Sequence, residues 1–360
     1  MPTLKDVALA AKVSTATVSL VLNGKNSVSP KTTERVLAAI DELGYRPNMV
    51  ARSFKTKQTK TIAILVPTIT NPIYPAFIHV VEMEARREGY TIILCSYDDG
   101  SGPVQTDFLE DLYDRNVDGI IVCGIFNIPK EGNTRKLERI MKAYVNRKTP
   151  FVFYSEEEQL QYFIQRSNID MGVHAALFHT LSIDRNQASY EAVKHLVTSG
   201  HRRIALVSES TRFLFPHNIP YMKKLEGYQR ALEEANIPFD DALVIAGSDD
   251  YRGGAQCFVE LQNLENPPTA YVCTGDTLAL GVLHAAKNSG KIVPDEISVI
   301  GFDNIPVASY WNPKLSTIAV PIETIAREAF KRLYLLMNEF ESPPNRLMFD
   351  TELVIRESSV

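Results

Sequence analysis

The sequence of 360 residues contains no apolar run near the roughly 18 to 20 residues that a membrane-spanning helix requires. Its first residues, Met1 to Asp6, lack the apolar segment of a secretory signal peptide. The chain has only four cysteines, far apart and mostly in apolar runs, which favours buried free thiols over disulfides or a metal site. These absences predict a cytoplasmic protein with no disulfide framework and no bound metal.

Motifs of common enzyme classes are also missing. There is no Gly-x-Gly-x-x-Gly after a strand, no phosphate-binding Gly-Lys-Ser/Thr loop and no Gly-x-Ser-x-Gly turn. His174 and His179 are five residues apart, so they do not share a helix face as paired metal ligands would. We therefore expect a protein that is not an enzyme, with no catalytic residue and no cofactor.

Charge is distributed unevenly along the chain. Residues 1–60 contain ten lysines and arginines against four acidic residues, a net charge of +6. The remainder has 28 basic and 39 acidic residues, a net charge of −11. This asymmetry indicates a polyanionic partner for the first sixty residues alone, although a solvated basic face is the ordinary alternative.

Residues 4–44 show helical periodicity in short segments. Ser14 is placed to cap a second helix over Thr15–Leu22, which ends at Asn23-Gly24. The first two segments have the spacing of a helix-turn-helix, in which the second helix presents its N-terminal side chains to base edges. Hydroxyl side chains at the start of the second helix are also typical of a well-capped helix. Capping alone does not explain why exposed positions of this short helix carry small apolar residues. The candidates for base contact are Thr15, Ala16, Thr17 and Leu20.

The third helical segment opens with Ser29 as cap and Pro30 in the first turn, and Gly44 ends it. Its apolar residues are predicted to join the core of a three-helix domain. They are Val36, Leu37, Ile40 and Leu43.

Strand-like and helix-like segments alternate from about residue 61, in two successive blocks. This alternation predicts two parallel sheets covered by helices, hence two lobes. Ligands of such sheets bind beyond the carboxyl ends of the strands, which places a site in the cleft between the lobes. In the helix predicted over residues 76–88, we expect Val80, Val81 and Met83 to point inward.

Segments of the first fifty residues resemble the lactose/galactose repressor (LacI/GalR) family of transcription regulators, and the resemblance runs nearly continuously over residues 3–70. It is looser in the body, with anchors at Asn71-Pro72-Ile73-Tyr74, Gly275-Asp276 and Gly301-Phe302-Asp303-Asn304. It implies a helix-turn-helix head, a hinge helix and a two-lobed α/β domain of the periplasmic-binding-protein type. The segments that carry it are Leu4-Lys5-Asp6-Val7-Ala8, Val13-Ser14-Thr15-Ala16-Thr17-Val18-Ser19, Val21-Leu22-Asn23 and Leu43-Gly44-Tyr45-Arg46-Pro47-Asn48.

The resemblance implies that a hinge helix forms on DNA after Pro47. Asn48 can cap this helix, which is too short to be stable alone. By its position in the family pattern, Phe54 would enter the minor groove, with Arg52 contacting the phosphates. The family more often has leucine at the position of Phe54. Alternatively, Phe54 anchors the linker against the core domain. The family commonly has arginine where this chain has Leu20, so the operator half-site is expected to differ there. Asn23 and Ser53 are further candidates for DNA contact.

The resemblance also suggests residues for contact with a small effector. In the family the acid of the Gly-Asp motif binds the ligand; here it is Asp276, for which an ordinary helix N-cap is the alternative. Tyr74 would stack on the ligand, or else pack in the core. Lys224 stands where the family usually has arginine, and lysine lacks the planar fork of arginine. The candidates are Tyr74, Arg212, Lys224, Asp249, Asp276 and Asp303.

Two stretches depart from the family. Between residues 156 and 181 the chain has about one or two turns of extra helix-like sequence, and Ser155-Glu156 replace an Asp-Arg-like pair that touches the ligand in the family. Residues 208–222 are also long. We expect both stretches near the mouth of the cleft.

The sequence thus predicts a head over residues 1–46, a hinge over 47–60 and an effector domain over 61–360. Lobe 1 covers about 61–183 plus a C-terminal return, and lobe 2 about 184–301. The expected protein is a nucleoid-associated, cytoplasmic repressor that binds double-stranded operator DNA. We expect a homodimer and not a tetramer, because the sequence has no leucine-heptad tail that would hold two dimers together. The expected effector is a saccharide or sugar phosphate, acting as inducer or corepressor. The alternatives are a nucleobase-type corepressor and a solute-binding protein without DNA function.

Overall fold

The computed structural model describes residues 2–22, 28–45, 58–97, 107–124, 134–209, 218–338 and 345–360. The chain divides into two units, Met1–Thr59 and Lys60–Val360. None of the described helices is long and apolar enough to cross a membrane.

The first unit contains the helices α1 (Leu4–Ala10), α2 (Thr15–Leu22) and α3 (Pro30–Leu43). The predicted caps of α2 and α3 are confirmed, because Ser14 Oγ accepts from the Thr17 N–H at 3.1 Å and Ser29 Oγ from the Thr32 N–H at 3.3 Å. Gly44 ends α3 with φ +59°, a left-handed conformation that suits glycine.

The core of this unit is small. Leu37, predicted to point inward, is 49% exposed instead, because it lies on the outer side of α3 while Ala39 is buried. The buried residues lie in the three helices or, for Ala11, directly after α1, and among the described residues they are Val7, Ala8, Ala11, Val18, Val36 and Ala39.

The described part of the second unit contains two six-stranded sheets. The first has the order β11-β5-β4-β3-β1-β2 and the second the order β12-β10-β9-β8-β6-β7. All pairs are parallel except β10 with β12. The strands are β1 (Thr61–Val66), β2 (Thr91–Ser96), β3 (Gly119–Cys123), β4 (Phe151–Tyr154), β5 (Phe178–Ile183), β6 (Ile204–Glu209), β7 (Val244–Gly247), β8 (Ala270–Cys273), β9 (Ser298–Asp303), β10 (Ser316–Ala319), β11 (Arg346–Phe349) and β12 (Glu352–Val354).

Helices connect these strands. Strands β3 and β4 are buried along their whole length, as parallel strands covered on both faces are. The helices are α4 (Ile73–Arg87), α5 (Asp107–Asp114), α6 (Thr134–Asn146), α7 (Glu157–Ser167), α8 (Met171–His174), α9 (Arg185–Thr198), α10 (Ile219–Glu234), α11 (Tyr251–Gln262), α12 (Asp276–Asn288) and α13 (Ile322–Met337).

Each sheet defines one lobe, and the chain crosses between the lobes more than once. Strands β10 and β12 belong to the second sheet, so lobe 2 extends past the expected end at residue 301. The C-terminal return to lobe 1 consists of α13, which packs on α4, and of β11, which pairs with β5.

One expectation about a helix in lobe 1 was wrong. Met83 of α4 is 40% exposed, whereas Val80 and Val81 are buried as predicted. The helix-like sequence after β4 forms α7, which has 11 residues, and the short α8.

Candidate nucleic-acid interface and ligand cleft

The start of α2 is the exposed part of the predicted recognition helix. Thr15 and Ala16 are exposed, and Thr17 and Leu20 are half-buried. Val18 is fully buried and fixes the opposite side of α2 in the core. The Thr17 hydroxyl lies 2.9 Å from Ser14 Oγ, so it is partly engaged in the cap. The predicted base-contacting side of α2 is therefore open.

Several predicted site residues fall outside the described residues. They are Asn23, Asn48, Arg52, Ser53 and Phe54 for DNA, and Arg212 for the effector.

Charged side chains of lobe 2 gather at the carboxyl ends of its strands. Glu209 is the last residue of β6, Asp303 the last of β9, and Asp249 follows β7. Lys224 of α10 is buried among them: its Nζ donates to the Thr274 carbonyl at 2.6 Å and lies 4.0 Å from the centroid of the Phe302 ring. Burial lowers the pKa of Lys224, while the charges of Glu209 and Asp303 raise it.

Lobe 1 meets this cluster through the loop after β1 and the start of α4. Asn71, in that loop, lowers the pKa of the Asp249 carboxyl, against the larger effect of burial. The pKa of the half-buried Tyr74 is raised by burial and then by the charges of Asp249, Asp303 and Glu209. Tyr74 also packs against the core, so both of its predicted roles have a physical basis. The two lobes thus share one polar site.

The carboxylates of this site are accessible to solvent but surrounded by protein. Asp249 is exposed and Asp303 half-buried. Even so, desolvation is the main cause that raises the pKa of Asp249 to about 6, with the charge of Glu209 second. Desolvation likewise raises the pKa of Asp303 well above its usual value, against the opposing effect of Lys224. A carboxylate on the wall of a cleft can be reached by solvent and still lose part of its hydration to the surrounding protein, which raises its pKa.

The backbone after β9 is held in a rare conformation. Asp303 has φ +107° and Asn304 has φ +57°, both in the region that favours glycine. Asn304 Oδ1 accepts a hydrogen bond of 2.7 Å from Arg356 Nη2, which helps to fix the turn. Strained residues of this kind concentrate at ligand sites, and here the strain positions the Asp303 carboxylate at the cleft.

Asp276 differs from these acids because it is only 1% exposed. Its carboxylate accepts hydrogen bonds from Thr317 Oγ1 at 2.5 Å and from the Ile305 N–H at 2.8 Å. The N-cap role is wrong, since Gly275 is the N-cap of α12 and Asp276 is the first residue of the helix. Ligand contact by Asp276 stays a prediction.

A buried ion pair between Glu156 and Arg185 lies at the cleft and was not predicted from the sequence. The Arg185 guanidinium also lies 5.8 Å from the centroid of the Tyr154 ring. Glu156 follows β4 and Arg185 follows β5, so both come soon after strand ends, as Glu209 does. Position at the carboxyl edge of the sheets was the signal that could have found these residues.

Helix α7 begins at the same place. Glu158 in its first turn forms a 3.0 Å salt bridge with Lys223 of α10, across the two lobes. The first turn of α7 therefore lies at the margin of the cleft, where the sequence placed the extra segment.

Fold and site together define a DNA-binding regulator with a two-lobed, small-molecule-binding domain, and comparison with known proteins agrees. The profile described as "Bacterial regulatory proteins, lacI family" matches residues 3–48, and that of a "Periplasmic binding protein-like domain" matches residues 193–359. The HTH-type transcriptional repressor PurR of Vibrio campbellii is 32% identical over 359 residues, which is 99% of this chain and 98% of the relative. The chain belongs to the lacI family of bacterial regulatory proteins.

Solved structures agree with this assignment. The lac repressor dimer bound to operator and the anti-inducer ONPF matches with a TM-score of 0.80 and 25% identity, covering 99% of this chain and 98% of that chain. The transcriptional regulator CelR in complex with cellobiose matches with a TM-score of 0.66 and 27% identity, covering 99% and 100%. The relatives are transcriptional regulators, which confirms that the protein is not an enzyme.

Proposed function

We propose that this protein is a homodimeric repressor that binds operator DNA through α2 and is controlled by a polyhydroxylated effector in the cleft. The observation that carries the DNA-binding part is the open N-terminal side of α2 beside a fully buried Val18. Thr15, Ala16 and Leu20 would contact bases there, and the net charge of +6 over residues 1–60 supplies attraction to phosphates. Such a protein acts in the cytoplasm, at the nucleoid.

The effector part of the proposal rests on the cluster shared by the two lobes. Carboxylates such as Asp249 and Asp303 accept hydrogen bonds from the hydroxyl groups of a saccharide. Tyr74 offers a ring for the apolar face of a sugar. The regulator solved with cellobiose supports a saccharide-like ligand for this chain as well.

The homodimer is supported by exposed apolar side chains on both lobes. In lobe 1, Met83 of α4 is 40% exposed and Leu94 of the edge strand β2 is 43% exposed. In lobe 2, Tyr251 and Val259 of α11 are 45% and 51% exposed. A second copy of the chain would cover these side chains and present two heads to a near-palindromic operator.

Control by the effector follows from the contacts between the lobes. The salt bridge between Glu158 and Lys223 joins the two lobes, and it exists only when the lobes are close together. An effector changes DNA affinity to the extent that it binds one arrangement of the lobes more tightly than another.

The substitution Thr15→Asp tests the DNA-binding part of the proposal. It places a negative charge at the exposed start of α2, so we expect operator affinity to fall by at least about tenfold, in line with ordinary base and phosphate contact energies. Operators are first selected from random duplex DNA with the wild-type protein, and affinity is then measured by fluorescence anisotropy. Ala38→Asp, on the exposed side of α3, is the matched control. Equal losses for both variants would contradict the assignment of α2.

A further inference from the structure

We propose that lobe 1 holds a second ligand site, outside the cleft, and that this site binds an uncharged cyclic amide. The site is a cavity of about 340 Å³ between α7 and the outer strands β5 and β11 of the first sheet. That volume lies within the range of small-molecule pockets. The inference goes beyond the proposed function, because the polar cluster of the cleft takes no part in it.

One wall of the cavity is a face of α7. Glu157, Gln161 and Gln165 follow one another at intervals of four residues, so their side chains form a stripe along the helix. Leu160 and Ile164 form a parallel apolar stripe beside them. A polar and an apolar stripe therefore run side by side along the cavity, over about 12 Å of helix.

The opposite wall comes from the starts of β5 and β11. Phe178 and Thr180 are two residues apart in β5, so their side chains lie on the same face of the sheet. The Thr180 N–H donates to the Asn345 carbonyl at 2.8 Å, and Arg346 is paired with Thr180 in the register of the two strands. The sheet therefore fixes the backbone that carries this wall.

The floor of the cavity is part of the packed core of lobe 1. Leu160, Ile164 and Phe178 belong to a buried apolar cluster, and Ile169 packs against that cluster. Thr180 lines the same cavity and is only 3% exposed. Apolar walls with a few fixed polar groups are typical of preformed sites for small molecules.

Three polar side chains of the lining are available to a ligand. Within the part of the chain that the structure describes, the side chains of Gln165, Thr180 and Asn345 form no hydrogen bond. Gln161 differs from them, because its Nε2 donates to Glu157 Oε1 at 2.6 Å. A buried hydroxyl without a partner, such as that of Thr180, costs free energy that a hydrogen bond to a ligand recovers.

The charges of the lining favour an uncharged ligand. Arg346 Nη2 and Glu157 Oε1 form a salt bridge of 2.6 Å between the two walls. Among the described residues that line the cavity, these two are the only charged side chains. An anion would have to displace Glu157 from Arg346, and a cation would have to displace Arg346 from Glu157.

The polar groups favour an amide within a ring. The primary amides of Gln165 and Asn345 each present an N–H donor beside a carbonyl acceptor. A ring amide holds its own N–H and carbonyl on the same side, so it can form two parallel hydrogen bonds with such a group. The Thr180 hydroxyl can donate to a second ring carbonyl, while the apolar stripe of α7 contacts the face of the ring. Pyrimidine bases and cyclic dipeptides share this chemistry.

The test uses the full-length protein and both sources of cyclic amide. The pyrimidine arm contains uracil and uridine, with uridine 5′-monophosphate as the charged form. The peptide arm contains the cyclic dipeptide of leucine and glycine, with the linear, zwitterionic dipeptide as the charged form. Binding is measured by calorimetry. We expect an uncharged member of one arm to bind about tenfold or more tightly than its charged form, and the arm that binds identifies the source.

Two variants locate the bound ligand in the cavity. Thr180→Val keeps the shape of the side chain and removes its hydroxyl, and Gln165→Ala removes an amide from an exposed position of α7, where folding is not at risk. Each should weaken binding about tenfold, as is ordinary for the loss of one hydrogen bond in a desolvated site. Gln256→Ala, at an exposed position of α11 in lobe 2, is the matched control and should bind as wild type does.

Three results would overturn the inference. The first is that no cyclic amide of either arm binds, and the second is that the charged forms bind as tightly as the uncharged ones. The third is that Gln165→Ala binds as wild type does while Asp249→Asn loses binding, because the ligand then lies in the cleft. None of these results removes the proposed DNA binding or the proposed control through the cleft.

Discussion

The buried carboxyl group of Asp276 makes stability depend on pH. Desolvation raises the pKa of Asp276 to about 7, although the hydrogen bonds from Thr317 and Ile305 act against it. The ordinary pKa of an aspartate is 3.8, so between pH 3.8 and pH 7 the folded protein binds a proton that the unfolded chain has released. This contribution favours the folded state at low pH and is lost as the pH rises towards 7.

The substitution Asp276→Asn should remove that dependence. An asparagine can accept from the Ile305 N–H with its oxygen and donate to Thr317 with its amide, and it has no charge to desolvate. We expect the melting temperature of the variant, relative to wild type, to be higher at pH 8 than at pH 5. The control Asp295→Asn changes an exposed carboxyl and should show the same difference at both values. A pH-independent difference for Asp276→Asn would show that its carboxyl titrates normally.

The residues of the cleft could be predicted only where the family pattern or a motif marked them. Tyr74, Lys224, Asp249 and Asp303 do meet in one site, as the resemblance implied. Glu156 and Arg185 were missed because their pairing joins two strand ends that are 29 residues apart in the chain. Burial of Asp276 was also out of reach, since it depends on Thr317 and Ile305 packing over the start of α12.

At the scale of elements, α9 and α10 approach so closely that only glycine fits between them. A Cβ on Gly227 would lie 2.0 Å from the backbone carbonyl oxygen of Asn186 in α9. Because the contact is with backbone, the helices must separate if a side chain is added.

The substitution Gly227→Ala should therefore destabilise the second unit by about 1–3 kcal/mol, despite the higher helix propensity of alanine. Met222→Ala on the same helix is the control, since Met222 is 43% exposed and its truncation leaves the helix contact intact. Urea unfolding of both variants measures the difference. If Gly227→Ala were as stable as the control, the close approach of the two helices would be wrong.

Hydrophobic periodicity predicted the order of the helices and strands, but it did not predict which of their apolar side chains are exposed. Periodicity identified Val80, Val81 and Met83 as apolar positions of α4, yet α13 and the first sheet leave Met83 outside. Leu37 of α3 is exposed for the same kind of reason. Periodicity defines an apolar face, whereas the neighbouring elements decide how much of that face is covered.

At the scale of the whole molecule, the division of charge coincides with the division of structure. The boundary between the two units falls after Thr59, at the end of the predicted hinge. Residues 60–360 carry 29 basic and 39 acidic residues, a net charge of −10. They also have their own buried core in two sheets, so they can be expected to fold without the first unit.

A truncated chain beginning at Lys60 should consequently bind DNA neither tightly nor with a steep salt dependence. Each phosphate contact by lysine or arginine releases counterions, so the slope of log affinity against log salt counts such contacts. We expect the full-length protein to show a steep negative slope and the truncated chain to show none, with fluorescence anisotropy measured from about 50 to 200 mM salt. Cooperative thermal unfolding of the truncated chain is the control for folding. If it kept the full slope, DNA binding would belong to the acidic body, and the first sixty residues would need another role.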